Sequence, residues 1–287
     1  MLTQKSQTTY AIAVGVADVR RDPNPESELV TQALLNMPAS AQQTSGDWTH
    51  VQLSDYEGWV LTEHLAEPVE KGFTRVGPDC ATPLDLATVI TATRTPLYSQ
   101  AEGDAQSDHA YLSTLLPLLD DTHPQRVQVA LPGGESAWLD REAVAIRRAS
   151  DPYPKDDVRK VIEYAMQFRN VPYLWGGTSW EGIDCSGFVQ VNYRMGGYII
   201  PRDADQQHDF LPQSVSREEM QAGDLIFFGT KAITHVGMAI SATDYIHAEG
   251  RRYNYVVVNS FERESPIFND RLADIVWGIK RVVSDHD

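Results

Sequence analysis

Cysteine is nearly absent: 287 residues contain two, Cys80 and Cys185. They lie far apart in unlike contexts, which excludes a disulfide framework, so each thiol is read alone. Basic residues are also scarce, with 24 Lys and Arg against 40 Asp and Glu and a formal charge of −16. That balance argues against nucleic acid or an anionic membrane as partner, because phosphate surfaces attract an excess of Lys and Arg. No run approaches the ~20 apolar residues of a membrane helix. The opening "MLTQKSQTTYAIAVGVADVR" has no basic stretch followed by a sustained apolar core. The expectation is a cytoplasmic protein, unless a signal has been removed.

What remains is the composition of a folded chain, 42% hydrophobic and 22% charged, long enough for several compact domains. From Tyr10 to about Glu67, runs such as "YAIAVGVADVR", "ELVTQALL", "WTHVQL" and "DYEGWVL" alternate around the turn "DPNPES". They predict five brief strands in a small β-barrel. A comparable order recurs in "VITATRTPLYSQ", "HAYLSTLLPLLDD" and "QRVQVALPGGESAWLDREAV", with "VQV" before Trp138 echoing "VQL" before Trp59. Two diverged copies of one unit are expected. The stretch "ASDPYPKDD", residues 149–157, concentrates Pro and Asp and marks the main boundary. The domains expected are therefore 1–68, 69–150 and 151–287.

Beyond the boundary the period changes. "KDDVRKVIEYAMQFRN" places Val158, Val161, Ile162 and Ala165 at helical spacing. "CSGFVQVNYRMGG" does the same with Phe188, Val191 and Met195, and ends on a Gly196–Gly197 pair suited to a helix C-terminus. Strand-like runs follow: "GDLIFFG", "THVGMAIS", "DYIHAEG", "YVVVNSF" and "IVWGIKRV". Helices first and an antiparallel sheet afterwards predict an α+β domain.

The second helix would hold Cys185 in its first turn, where unpaired N–H groups lower a thiol pKa from its usual ~8.5 and favour a nucleophile. A lone cysteine more often fills an apolar gap. Here Asp184 precedes it, and the small Ser186 and Gly187 leave room for a substrate. A thiol nucleophile needs a base, and "THVGMAI" offers His235 on the strand face shared with Gly237 and Ala239. His247 in "DYIHAEG" falls on the adjacent strand, where it can orient His235. Either histidine alone reads as a half-buried imidazole, but two on matching faces of a hairpin favour catalysis. Cys185, His235 and His247 are also a conceivable zinc set, yet separations of 50 and 12 residues match no compact zinc motif. No metal or cofactor is expected. Cys80, in "VGPDCATP", has neither a partner histidine nor a helix start and is read as structural.

The ordered motifs "YLWGGTSWEGIDCSGFV", "PRDADQQ", "AGDLIFFG", "THVGMAI" and "YIHAEG" resemble those of the NlpC-type, papain-like cysteine peptidases across residues 155–285. The resemblance implies Cys185 as nucleophile, His235 as base and His247 as third member. It also implies Tyr173 beside the nucleophile and the Cys185 N–H as an oxyanion donor. With two SH3-like barrels ahead of it, the whole chain resembles the γ-D-glutamyl-L-diamino acid endopeptidases of cell-wall peptide turnover. These cleave after γ-D-Glu in murein peptides, L-Ala-γ-D-Glu-diamino acid, and grip the free amine of L-Ala where the first barrel closes the cleft. The implied substrate contacts are Tyr56, Glu28, Tyr173, Asp184 and Ser186.

Bland readings stand beside these: Asp184 as a helix N-cap, and Tyr56 as a barrel aromatic next to Trp59. Arg202 and Asp203 either line the cleft or pair with each other at the surface, the commoner fate of such neighbours. The family often has a hydroxyl residue after "PRD", where this chain has Ala204. A monomer is expected. The alternative function is a peptidoglycan-binding SH3-like protein with a secondary amidase or acyltransferase activity.

Overall fold

The structure, a computed structural model, describes residues 8–69 and 85–282; Cys80 lies outside the described residues. The chain divides into two compact units, Met1–Pro152 and Tyr153–Asp287.

The first unit holds two lobes of one plan. In the first, strands β1 (Thr9–Ile12), β2 (Val16–Arg20), β3 (Leu29–Leu34), β4 (Pro38–Ser45), β5 (Trp48–Gln52), β6 (Glu57–Leu61) and β7 (Leu65–Ala66) pair in the order β3-β2-β6-β5-β4-β1-β7. In the second, β8 (Leu86–Ile90), β9 (Arg94–Tyr98), β10 (Gln106–Tyr111), β11 (Leu115–Asp120), β12 (Arg126–Ala130), β13 (Ser136–Asp140) and β14 (Val144–Arg148) pair as β10-β9-β13-β12-β11-β8-β14. Each strand of the second order is the first's counterpart seven places on, so the lobes share one topology. Period-two alternation turns Ala17, Val19, Val51 and Val60 into one core and Leu97, Val127, Val129 and Leu139 into the other.

Two expectations are corrected. Each lobe has seven strands, not five: "YAIAVGVADVR" breaks into β1 and β2, and the polar "PASAQQTS" of β4 is a strand that composition concealed. Nor do the sheets close. Each order ends on strands with a single neighbour, so the barrels are open, coiled sheets. The lobes touch through backbone and core: Asn36 Nδ2 donates to Leu115 O at 2.9 Å, the Gly15 N–H donates to Asp108 Oδ2 at 2.7 Å, and Leu35 packs into the second lobe's core.

The second unit opens with α1 (Val158–Gln167), capped by the Asp157 side chain on the Arg159 N–H. A two-stranded ribbon, β15 (Thr178–Ser179) and β16 (Gly182–Ile183), leads into α2 (Cys185–Met195) and then α3 (Ala204–Phe210). The sheet is β17 (Gln213–Val215), β18 (Leu225–Gly229), β19 (Ile233–Ala239), β20 (Asp244–Glu249), β21 (Tyr255–Ser260) and β22 (Val276–Arg281), with the single turn α4 (Asp270–Ala273) before β22. Its order is β17-β22-β18-β19-β20-β21, antiparallel throughout. The class is α+β.

Helix α2 packs across β19 and β20 and is buried from Cys185 to Tyr193 and again at Met195. A helix enclosed on nearly all sides needs small residues where backbone meets it. A Cβ on Gly187 would lie 2.5 Å from the Gly177 carbonyl oxygen. At the other end Gly197, at φ +80°, takes the left-handed turn that ends the helix.

Candidate active site

Cys185 is the first residue of α2, so its N–H belongs to the turn that has no intrahelical acceptor. Burial pushes the thiol up to about 12, and the Asp184 charge adds to the effect. The Val236 and Ser186 backbone N–H groups and the Arg202 guanidinium pull the other way without winning. The expected lowering is therefore overturned, because desolvation of a thiolate outweighs the helix N-terminus. The Val236 contact also fixes position, bringing the sulfur to β19 at the residue beside His235.

His235 Nε2 meets His247 Nδ1 at 2.7 Å, with the rings edge-on at 4.9 Å between centroids. His247 is fully buried, and its Nε2 meets Asn259 Oδ1 at 2.9 Å. Burial lowers the His247 pKa to about 4, although Asn259 and Glu249 oppose it. Burial, His247 and then Arg271 hold His235 well below 6.5. Near neutral pH the site thus holds an uncharged thiol beside two uncharged imidazoles. Such a set moves the thiol proton to an imidazole as sulfur attacks, the chemistry of covalent acyl transfer.

Asp184 caps α2, with Oδ1 accepting the Gly187 N–H at 2.7 Å and Oδ2 the Gly176 N–H at 3.0 Å. Arg202 grips the same carboxylate through Nη2 to Oδ2 at 2.7 Å and Nη1 to Oδ1 at 3.1 Å. Its Nη1 also donates to Ser186 Oγ at 2.9 Å. Arg202 is 1% exposed, so it is not the surface residue expected, although the Asp203 charge still favours its charged form. Burial works against its charge, yet Asp184 prevails and the Arg202 pKa is raised. Asp203 sits half-buried at the N-cap position of α3, where its carbonyl accepts the Gln207 N–H at 2.8 Å and its carboxylate the Gln206 side-chain amide at 3.5 Å.

Tyr173 is half-buried and its pKa is raised by burial, then by the charges of Cys185 and Asp184. It keeps its hydroxyl hydrogen and stands as a donor near the sulfur. Glu28 and Tyr56 belong to the first unit. Glu28 is exposed at the start of the β3 region and pairs with Arg21 at 2.8 Å, while Tyr56 packs on the first lobe's core in the turn before β6.

Asn259, Asn269 and Glu249, the last inside the motif "YIHAEG", are buried polar residues about this site that the sequence reading did not single out. The one signal was an asparagine closing the apolar run "YVVVNS". Among the described residues no group of three or more His, Cys, Asp or Glu is placed to hold a metal ion.

Residues 170–272 match the NlpC/P60 family, and residues 19–65 match the bacterial dipeptidyl-peptidase SH3 domain. A γ-D-glutamyl-L-lysine dipeptidyl-peptidase of Bacillus cereus is 33% identical over 236 residues, 77% of this chain and 68% of the relative. The chain belongs to the NlpC/P60 family. Within it, a dipeptidyl-peptidase 6 of Lysinibacillus sphaericus is 27% identical over 92% of this chain and 96% of its own length. A crystal structure of a Bacillus cereus NlpC/P60 protein shares the fold, with a TM-score of 0.81 at 24% identity, covering 96% of this chain and all of that one. The NlpC/P60 match contains Tyr173, Cys185, His235 and His247, and the SH3 match contains Glu28 and Tyr56.

Proposed function

We propose that this NlpC/P60 chain is a cysteine peptidase that hydrolyses the γ-D-glutamyl-diamino acid bond of murein peptides with a free N-terminal L-Ala, in peptidoglycan turnover or recycling. The observation that carries the reading is the sulfur of Cys185 at the head of α2, held at Val236 beside the coupled pair His235–His247. The relative named γ-D-glutamyl-L-lysine dipeptidyl-peptidase supports the bond chosen.

In this reading Sγ attacks the γ-carbonyl carbon and its proton passes to His235. The carbonyl π electrons move to oxygen, where the Cys185 N–H and the Tyr173 hydroxyl donate. Collapse of the intermediate breaks the C–N bond, the departing amine takes the proton from His235, and a thioester remains. Water, deprotonated by His235, then releases the dipeptide. The free ammonium of L-Ala is met by the negative charge of Asp184 and the hydroxyl of Ser186, on either side of the nucleophile. Buried Arg202 keeps Asp184 oriented, and Asp203 lines the cleft.

The test is a pair of L-Ala-γ-D-Glu-diamino acid peptides, one with a free and one with an acetylated amine. The free peptide is expected to be cut and the acetylated one to lose at least about 100-fold in kcat/KM, the loss of one buried ion-pair contact. Equal rates would refute the dipeptide-releasing mode.

A further inference from the structure

The histidine pair continues inward as a chain of amides whose direction is fixed at both ends by backbone. Asn269 caps α4, and its Oδ1 accepts the Leu272 N–H at 3.1 Å. With that oxygen turned to the helix, Nδ2 is the atom that Asn269 donates to Asn259 Oδ1, at 2.9 Å. From the other side the Ile267 carbonyl can only accept, and it takes Asn259 Nδ2 at 3.2 Å. An amide orientation assigned from a network is sound when its fixed partners agree. Here a backbone donor and a backbone acceptor both turn the Asn259 oxygen toward His247.

An acceptor at 2.9 Å from His247 Nε2 requires the hydrogen on that nitrogen. A neutral ring carries one hydrogen, so His247 Nδ1 is left with a lone pair. The hydrogen in the 2.7 Å contact with His235 therefore belongs to His235 Nε2, and His235 Nδ1 holds the free lone pair. We propose that Asn259 and Asn269 are positioning residues that impose, through His247, the tautomer in which His235 Nδ1 is the open base. The inference rests on the reading of His235 as the base. Neither asparagine touches the reacting atoms. Once His235 has taken the thiol proton, its Nε2–H still donates to His247 Nδ1, so the new imidazolium keeps its acceptor. Around the pair lie Tyr245, with its ring 5.2 Å from that of His247, Phe228 against His235, and the charges of Glu249, Arg271 and Arg251.

The test uses the full chain with ¹⁵N-labelled histidine and two variants, Asn259→Leu and Asn259→Asp. In the unaltered protein, long-range ¹⁵N spectra should show both His235 and His247 protonated at Nε2 near neutral pH. Asn259→Leu removes the acceptor. His247 should then populate the other tautomer, and kcat should fall by about 10²–10⁴-fold with KM little changed, the scale of a lost or mis-set base.

Asn259→Asp keeps an acceptor but raises the His247 pKa. A charged His247 donates from Nδ1 and turns His235 the wrong way, so this variant should be slow at low pH and recover as pH rises. A packing role alone would not produce that pH-dependent recovery. Protonation of His247 at Nδ1 in the unaltered protein would overturn the proposal, even where Asn259→Leu fails to fold. So would a folded Asn259→Leu variant with unchanged tautomers and rate. The expected tautomers in a protein that cuts no γ-glutamyl peptide would support the tautomer lock and refute the proposed function.

Discussion

Two opposing effects meet at Cys185: the open turn of α2 favours thiolate, and enclosure disfavours it. Enclosure wins, and the thiol stands near 12, so ionisation of the sulfur does not set the working range. The controlling group is His235, which accepts a proton only when neutral and whose pKa is held well below 6.5 by burial, His247 and Arg271. Below that pKa the imidazole is protonated and the rate falls; above it the base is available. The acid limb of kcat/KM should therefore lie below pH 6.5, with no rise through pH 8–9 as an ordinary thiol ionises. A pH–rate profile checks this, and an acid limb above pH 6.5 would contradict it. Motif order marked Cys185, His235 and His247 as candidates, whereas the thiol's direction of shift was illegible, because helix position is local and burial is a property of the whole fold.

Asp184, Ser186 and Arg202 act as a joint between elements. The Gly176–Gly177 loop, the head of α2 and the turn into α3 converge on one carboxylate, which takes two backbone N–H groups and a forked guanidinium. Removing one partner of a buried pair leaves an uncompensated charge. Arg202→Ala should therefore destabilise the second unit by roughly 3–5 kcal/mol, read as a lower urea midpoint. A loss under about 1 kcal/mol would show that the joint is wet. Adjacency in sequence suggested Arg202 with Asp203 at the surface, but the fold buries Arg202 and brings Asp184, eighteen positions earlier, to its guanidinium. The strands "LIFFG" and "YVVVNS" were legible from β-branched and aromatic runs. Strand β4 was not, because "PASAQQTS" carries no apolar alternation, and α3 was hidden in a motif read for its side chains and not for its period.

Across the whole molecule, two seven-stranded lobes of identical order precede a papain-like α+β unit in a chain of net charge −16. The repeat was visible in the recurring order of strand-like runs and in "VQL" and "VQV" before a tryptophan. Its open sheets were not, because alternation reports which face is buried and says nothing of whether the last strand meets the first. The account stands or falls on which bond is cut and by which atom. Incubating L-Ala-γ-D-Glu-diamino acid peptide with the full chain and with Cys185→Ala, and identifying products by mass spectrometry, measures both. The account predicts release of the dipeptide L-Ala-D-Glu by the unaltered chain and none above background by Cys185→Ala. Dipeptide release that survives the substitution, or cleavage at another bond, would contradict it.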